Sequence, residues 1–246
     1  VVPPSIEGMK IEPASDMKQA QRIIDGLEVT VVEQAFRITA EQPGTYTLNG
    51  PKLTGSYIYG DSLTGSTKIM PINTKTEQMP ITVKPIPKDF KGNWLPASAL
   101  ELTQSWQDEQ GNPLSANAVS TVKQGSSITR TIRIRARGTQ AEYLPRIGIV
   151  YPSTLRVYPE QPQFETSRDG TVTMTVKQVL IPTEAGDLTL PGYSLNWWDS
   201  NRDQSRQADI TSLKLNVEKS DSGLITLPES ALPAQPATTS APVVQG

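Results

Sequence analysis

The sequence predicts an all-β protein made of two tandem antiparallel β-sandwiches, and three observations support this prediction. Short apolar stretches with two-residue alternation recur along the chain, and Pro or Gly residues separate them. No stretch has the periodicity of an amphipathic helix longer than two turns. The pattern around Gly44 recurs around Gly186, so that Leu48 matches Leu190. Many short strands in a duplicated pattern are typical of tandem sandwiches.

The composition excludes several classes of function. With 246 residues and a formal net charge of −2, the chain suits two domains and favours neither nucleic acid nor an anionic membrane surface as a partner. The absence of Cys and His excludes a thiol nucleophile, a disulfide framework, a Ser-His-Asp triad and a Cys/His zinc site. No run of 18 apolar residues exists, so the chain as given is not expected to span a bilayer. No cofactor is predicted.

The first predicted domain covers residues 1–87. Asp25-Gly26 suits a tight hairpin turn, and the imperfect alternation over residues 28–39 indicates either a bulge or a strand buried on both faces. Residues 61–76 are polar and predict a loop or an irregular hairpin. The remaining strands are predicted at residues 6–12, 20–24, 46–48, 53–59 and 81–83.

The second predicted domain covers residues 88–219 and follows a Pro-rich linker at residues 85–89. Its central feature is a predicted half-buried hairpin within residues 175–199, closed by the turn Glu184-Ala185-Gly186. Beyond it, residues 220–246 are rich in Pro, Ala, Ser and Thr and predict a disordered tail. Further strands are predicted at residues 100–106, 128–136, 144–151, 155–158 and 210–217.

About forty residues of the second domain, 100–138, have no counterpart in the first, because at the repeat offset they would precede Val1. If the two domains are duplicates, the first lacks its opening strands and has an unpaired sheet edge. We expect the intact protein to supply those strands upstream.

An arginine stripe marks the clearest strand. Arg133, Arg135 and Arg137 share one face of residues 128–136, and the apolar residues share the other face. The stripe could dock an acidic partner or a phosphate, but a solvated face paired with carboxylates is favoured. Arg130 lies two positions from Ile128 and from Ile132, so it shares their apolar face of the strand. This position predicts a partly buried, hydrogen-bonded, structural arginine.

Trp197-Trp198-Asp199 is the most unusual local feature. Adjacent strand residues face opposite sides, so one Trp in the core and one shielding an edge or a domain junction is favoured over a stacking platform. Residues 199–203 have the alternating oxygen ligands of a calcium loop but lack its required Gly and Glu, so a polar hairpin turn is favoured. The carboxylates show no convergent spacing, so no catalytic residue is predicted and the chain is not expected to be an enzyme.

Several motifs, in order and spacing, resemble the BatD family of bacterial oxygen-tolerance (aerotolerance) proteins. The stronger motifs lie in the second domain, and a weaker match at Val32-Glu33-Gln34 and Pro43-Gly44 extends the resemblance over nearly the whole chain except its last 25 or so residues. The stronger motifs are NWLPA at 93–97, LTQSW at 102–106, ITRTI at 128–132 after Gly125, VYPEQP at 157–162, IPTEAG at 181–186, LP at 190–191 and WW at 197–198.

The resemblance implies immunoglobulin-like β-domains in the periplasm, with a signal peptide and a membrane helix that this chain lacks. The chain therefore resembles a periplasmic fragment of a protein anchored to the cytoplasmic membrane. The implied partners are von Willebrand A-domain membrane proteins and a MoxR-type AAA ATPase, in a stress-response role. The leading hypothesis is a non-catalytic envelope scaffold; the alternative is a carbohydrate-binding or adhesin-like module. The candidate partner-binding residues are Trp197, Trp198, Arg133, Arg135 and Tyr151.

Overall fold

The computed structural model describes residues 2–52, 54–60, 67–73 and 77–220. Within these residues the regular structure is β-strand apart from one 3-10 turn, Ala141–Tyr143, so the all-β prediction is confirmed. The predicted tail from residue 221 onward and residues 61–66 and 74–76 of the predicted loop or irregular hairpin lie outside the described residues. The described part of that segment, Thr67–Asn73, is a regular strand paired with Thr54–Gly60, and not a loop. The chain divides into two compact units, Val1–Lys88 and Asp89–Gly246, at a point within the predicted linker.

The described residues of the first unit form nine strands in four small sheets. Their order is β1-β6-β9, β2-β5, β3-β4 and β7-β8. The strands are β1 (Ser5–Ile6), β2 (Lys10–Pro13), β3 (Lys18–Ile24), β4 (Leu27–Glu33), β5 (Phe36–Thr39), β6 (Gly44–Asn49), β7 (Thr54–Gly60), β8 (Thr67–Asn73) and β9 (Gln78–Val83).

The second unit is larger, and its described residues form eleven strands. A five-stranded sheet has the order β11-β13-β16-β14, with β15 also paired to β16. Two three-stranded sheets have the orders β12-β20-β17 and β10-β18-β19. The strands are β10 (Pro96–Ala97), β11 (Ala99–Gln107), β12 (Ser120–Lys123), β13 (Ile128–Arg137), β14 (Leu155–Pro159), β15 (Gln163–Thr166), β16 (Val172–Pro182), β17 (Gly186–Leu190), β18 (Tyr193–Asp199), β19 (Gln204–Ile210) and β20 (Leu213–Glu218).

The core of the second unit lies between the five-stranded sheet and the two smaller sheets. β13 supplies Ile128, Ile132 and Ile134, each with no exposed surface, as the two-residue alternation predicts. Burial of each such side chain contributes about 1.5–3 kcal/mol to stability. One buried cluster joins Ile132 and Ile134 to residues of β16, β18 and β19, and a second joins Ile128 to residues of β17 and β20.

The predicted hairpin within residues 175–199 is wrong. β16 pairs with β13, β14 and β15, whereas β17 pairs with β20 in a different sheet. Residues 178–182 are all buried, at the end of β16 that pairs with β14 and precedes the turn at 183–185. Two-residue alternation reports which face of a strand is buried, and it does not identify the strand's partner.

Three other strand predictions need correction. Residues 144–151 form no strand, because Leu144 and Ile149 pack on the core without pairing their backbone in a sheet. The strand predicted over residues 28–39 is interrupted between β4 and β5, and neither part is buried on both faces. The closing strand predicted over residues 210–217 is two elements, because β19 ends at Ile210 and β20 begins at Leu213.

The first unit repeats the pairing pattern of β14–β20. β6 pairs antiparallel with β9 as β17 does with β20, and β7 pairs with β8 as β18 does with β19. β3 pairs with β4 as β15 pairs with the first half of β16. β2 pairs with β5 as β14 pairs with the second half of β16. Gly44 and Gly186 begin equivalent strands with positive φ angles of 149° and 123°. Within the described residues, no strands of the first unit correspond to β11 and β13.

Candidate functional site

Arg130 is the most deeply buried charged residue described in the structure, with no exposed surface. Its Nε and Nη2 atoms donate to Gln104 Oε1 at 3.1 and 2.8 Å. Its Nη1 atom donates to the Pro191 carbonyl at 2.7 Å and to Tyr151 Oη at 3.1 Å. The guanidinium also lies 4.2 Å from the centroid of the Trp106 ring, within cation–π range. The prediction of a buried, hydrogen-bonded Arg130 is confirmed.

This network joins the two layers of the second unit. Arg130 and Gln104 belong to β13 and β11, while Pro191 follows β17 in the opposite layer. Gln104 Nε2 donates to the Thr211 carbonyl at 2.8 Å, directly after β19. Burial lowers the pKa of Arg130, and hydrogen bonding to Tyr151 opposes that change. The partners of Arg130 are oxygen acceptors that satisfy its donors, so the geometry indicates a structural role in which Arg130 links the two layers.

Tyr151 belongs to the same network. Its hydroxyl accepts from Arg130 and donates to Gln178 Oε1, so both hydrogen-bonding functions of the hydroxyl are used inside the protein. Burial raises the pKa of Tyr151, and the charge of Arg130 opposes that change. The Tyr151 hydroxyl is therefore hydrogen-bonded within the protein, and only the exposed part of its half-buried ring is free to contact a partner.

Arg133, Arg135 and Arg137 form the exposed face of β13, which we call the arginine face. Arg137 makes an ion pair with Asp169 at 2.8 Å, whereas the structure gives no ion pair between described residues for Arg133 or Arg135. Arg133 lies opposite Thr103 and Thr175, which carry no charge. Arg135 lies directly opposite Glu101 of β11, although no ion pair joins the two. The arginine face is therefore exposed as expected, with a carboxylate beside Arg135 and an ion pair, among the described residues, at Arg137.

Beside the arginine face lies an open depression of about 440 Å³. Glu101, Arg135, Arg137 and Asp169 line it together with neighbouring main chain and small side chains. Hydrogen bonds from Ser167 and from the Thr171 backbone, with the nearby charge of Arg137, hold the pKa of Asp169 well below its usual range. The depression therefore combines both signs of charge, with cations on β13 and carboxylates at its rim.

The two tryptophans lie on opposite sides of β18, as strand geometry predicts. Trp197 is 4% exposed and belongs to the core, and the guanidinium of Arg206 lies 5.8 Å from its ring centroid. Trp198 is half-buried and packs against Trp94, with ring centroids 5.7 Å apart. Trp198 therefore covers the segment that leads into the second unit, and Trp197 offers a partner very little surface.

A polar turn follows Trp198, as predicted for residues 199–203. The buried carboxylate of Asp199 accepts from the backbone N–H groups of Asn201 and Arg202 at 3.0 and 3.2 Å and lies 3.4 Å from Arg206 Nη1. Burial raises the pKa of Asp199, but the hydrogen bonds from Arg202 and Arg206 outweigh it, so the pKa lies below its ordinary value. An open groove of about 480 Å³ runs beside this turn, between β11 and β19.

The sequence reasoning did not single out Gln104 and Gln178. Both side chains occupy inward positions, since Leu102 and Trp106 flank Gln104 on β11 and Val176 and Leu180 flank Gln178 on β16. An amide at an inward strand position needs a hydrogen-bond partner, so the pattern contains a signal for a polar core network. The exposed Phe164 on β15 was also missed, and no sequence signal separates it from a core aromatic.

No group of three or more His, Cys, Asp or Glu residues is arranged to hold a metal ion in the described part of the chain. Across the same residues, no helix has the length and apolar character needed to cross a membrane.

Comparison with known proteins identifies no relative. No protein-family model, curated protein or solved structure matches this chain. The resemblance to the BatD family therefore stays a prediction from the sequence motifs.

Proposed function

We propose that this chain is a non-catalytic interaction module of the cell envelope, built of tandem immunoglobulin-like sandwiches that present exposed faces to partner proteins. The proposal combines the all-β architecture with the BatD-like motifs of the sequence. By that resemblance the module belongs to a periplasmic, membrane-anchored oxygen-tolerance protein. The resemblance also suggests its partners, which are von Willebrand A-domain membrane proteins working with a MoxR-type AAA ATPase.

The arginine face is the observation that carries the proposal. Arg133 and Arg135 are exposed on β13, an inner strand of the five-stranded sheet, between β11 and β16. Arg130 and Asp199, by contrast, are buried and use their polar atoms within the protein. Arg133 faces uncharged threonines and Arg135 faces only Glu101, and neither makes an ion pair with a described residue. Such arginines are suited to binding an acidic surface, because Arg is enriched at interfaces and forms bidentate bonds to carboxylates.

A binding assay with charge-reversed variants tests this function. The chain is mixed with purified von Willebrand A-domain proteins from the same genome, and binding is measured by pull-down and by titration. The double substitution Arg133→Glu/Arg135→Glu is expected to weaken binding at least about tenfold, because the introduced carboxylates repel the carboxylates of an acidic partner. Lys214→Glu is the matched control, since Lys214 is exposed on β20 in the other layer. Absence of binding by the unmodified chain, or equal weakening by the control, contradicts the proposal.

Carbohydrate binding is the second candidate, and the groove between β11 and β19 favours it. Its lining combines Glu101, Asn201, Arg202 and Gln207 above the edge of Trp197, which is a polar set suited to sugar hydroxyls. Arg202→Ala/Gln207→Ala is expected to remove glycan-array binding. Trp198→Ala is expected to leave it unchanged, because Trp198 is not part of the groove. Absence of any glycan signal for the unmodified chain excludes this candidate.

A further inference from the structure

The outer face of the five-stranded sheet consists of rows of side chains that run across the strands, because paired residues point to the same side. Two neighbouring rows contain Arg135 and Arg133, and they lie about 7 Å apart along the strands. We call them the acidic row and the Arg133 row. The acidic row is Glu101, Arg135, Thr173 and Glu165, and the Arg133 row is Thr103, Arg133, Thr175 and Gln163.

The two rows carry opposite formal charges. In the acidic row Glu101 lies directly across from Arg135, and Glu165 lies on the far side of Thr173, so two carboxylates accompany one guanidinium. All three charged side chains are exposed, and none makes an ion pair with a described residue. In the Arg133 row the guanidinium is the only charge. A second carboxylate is therefore repelled from the acidic row and attracted to the Arg133 row.

Hydroxyl groups surround Arg133 on this face. Thr103 and Thr175 lie across from it on the two neighbouring strands, and Thr131 is two positions away on β13 itself. No hydrogen bond joins these three hydroxyls to another described residue, so each can donate to a bound oxygen. The position therefore combines a guanidinium with several neutral donors, which suits a single carboxylate.

The other cations nearby already have acidic neighbours. Arg137 is paired with Asp169, and Arg135 lies opposite Glu101. Lys177 lies next to Thr131, but the backbone N–H of Glu160 donates to its carbonyl at 2.9 Å, which brings a carboxylate-bearing residue beside that lysine. Arg133 is therefore the member of the arginine face that has neither an ion pair nor an acidic residue directly across from it, among the described residues.

We propose that Arg133 and its flanking threonine hydroxyls bind one carboxylate of the partner protein, and that an extended partner segment places a Lys or Arg two positions away, over the acidic row. Same-side residues of an extended segment are about 7 Å apart, which matches the spacing of the two rows. The inference rests on the proposed function, and it narrows an acidic partner surface to one carboxylate beside one cation. A uniformly acidic segment fits less well, because its second carboxylate meets Glu101 and Glu165.

A nuclear magnetic resonance titration with short peptides tests this charge pattern. The isotope-labelled full chain is titrated with the end-blocked peptide TTETKTT, and we expect saturable shifts of the Arg133 Nε–H signal and of the Thr103 and Thr175 amides. Two control peptides are TTETETT, which lacks the cation, and TTETTKT, which has the same composition but places Glu and Lys on opposite sides of an extended chain. Each control is expected to bind at least about threefold more weakly.

Matched variants of exposed residues separate the two rows. Arg133→Gln is expected to weaken TTETKTT binding at least about fivefold, whereas Arg135→Gln, on the same face of the same strand, should change it less than about twofold. Glu101→Gln/Glu165→Gln is expected to weaken binding of TTETKTT and to strengthen binding of TTETETT. This opposite response of the two peptides is specific to a cation held over the acidic row.

Three results overturn the inference. They are the absence of a saturable shift at Arg133 with TTETKTT, equal weakening by Arg133→Gln and Arg135→Gln, and tighter binding of TTETETT than of TTETKTT by the unmodified chain. Failure of the proposed function gives a different result, because TTETKTT then binds at Arg133 while the A-domain proteins do not bind at all. A-domain binding that Arg133→Gln and Arg135→Gln weaken equally contradicts the inference and leaves the proposed function in place.

Discussion

Arg130 shows how a single residue can join two layers of a β protein without a charged partner. Its guanidinium contacts a side-chain amide, a tyrosine hydroxyl and a main-chain carbonyl. Neutral oxygen acceptors satisfy the donors, and the Trp106 ring adds a cation–π contact. A buried charge held in this way is costly to disturb, because its acceptors lose their donors when it is removed.

Replacing Arg130 tests how much this network stabilises the second unit. Arg130→Met keeps most of the volume but leaves Gln104 Oε1 and the Pro191 carbonyl without their donor. We expect a decrease of about 2–4 kcal/mol in the free energy of unfolding, measured by urea denaturation. Arg133→Met is the control, because that side chain is exposed, and its effect is expected to stay within about 0.5 kcal/mol. Equal stability of both variants would show that the network makes no net contribution.

Asp199 makes stability depend on pH in the acid range. Its pKa in the folded state lies below the ordinary value of 3.8, because the hydrogen bonds from Arg202 and Arg206 outweigh the effect of burial. A depressed folded-state pKa adds stability that is complete above the ordinary value and is lost as pH falls through the folded-state value. Asp199→Asn should therefore have a lower urea midpoint than the wild type at neutral pH, and the difference should shrink below pH 3.8. A difference that stays constant down to about pH 2 contradicts this linkage.

At the scale of strands, the sequence predicted which faces are buried better than it predicted which strands pair. The sequence predicted that Arg130 and Arg133 face opposite sides of β13 and that Trp197 and Trp198 face opposite sides of β18. Strand geometry determines both placements locally. The pairing of β17 with β20 was missed, because its paired residues are 23 (Leu190 with Leu213) to 31 (Gly186 with Val217) positions apart in the sequence. The acceptors of Arg130 were missed for the same reason, since Pro191 is 61 residues distant.

The crossing from β17 to β18 depends on Gly192. A Cβ atom at this position would lie 2.4 Å from the Ile210 carbonyl oxygen, which is main chain and cannot rotate away. Gly192→Ala is therefore expected to lower the free energy of unfolding by about 1–3 kcal/mol, as overpacking does elsewhere. Gly148→Ala is the matched control, because nothing lies within 4 Å of its added Cβ. Similar urea midpoints for the two variants would show that the main chain at Ile210 moves aside at little cost.

At the scale of the whole molecule, the two units share a strand pattern but differ in their cores. Within residues 2–52 and 77–88, Ile6 is the one buried hydrophobic residue. The other hydrophobic residues described as buried lie in the second unit. Because burial of apolar surface is the main favourable contribution to folding, the first unit should be the less stable of the two.

Optical probes can separate the two units, because all four tryptophans lie in the second unit, at positions 94, 106, 197 and 198. Tryptophan fluorescence therefore reports unfolding of the second unit alone, whereas far-ultraviolet circular dichroism reports strands of both. We expect the circular dichroism signal to change at lower urea concentrations than the fluorescence, since the weakly buried unit unfolds first. Arg130→Met serves as the control, because it should lower the fluorescence midpoint and leave the first phase of the dichroism unchanged. Coincident transitions in the unmodified chain would mean that the first unit is as stable as the second despite its small core.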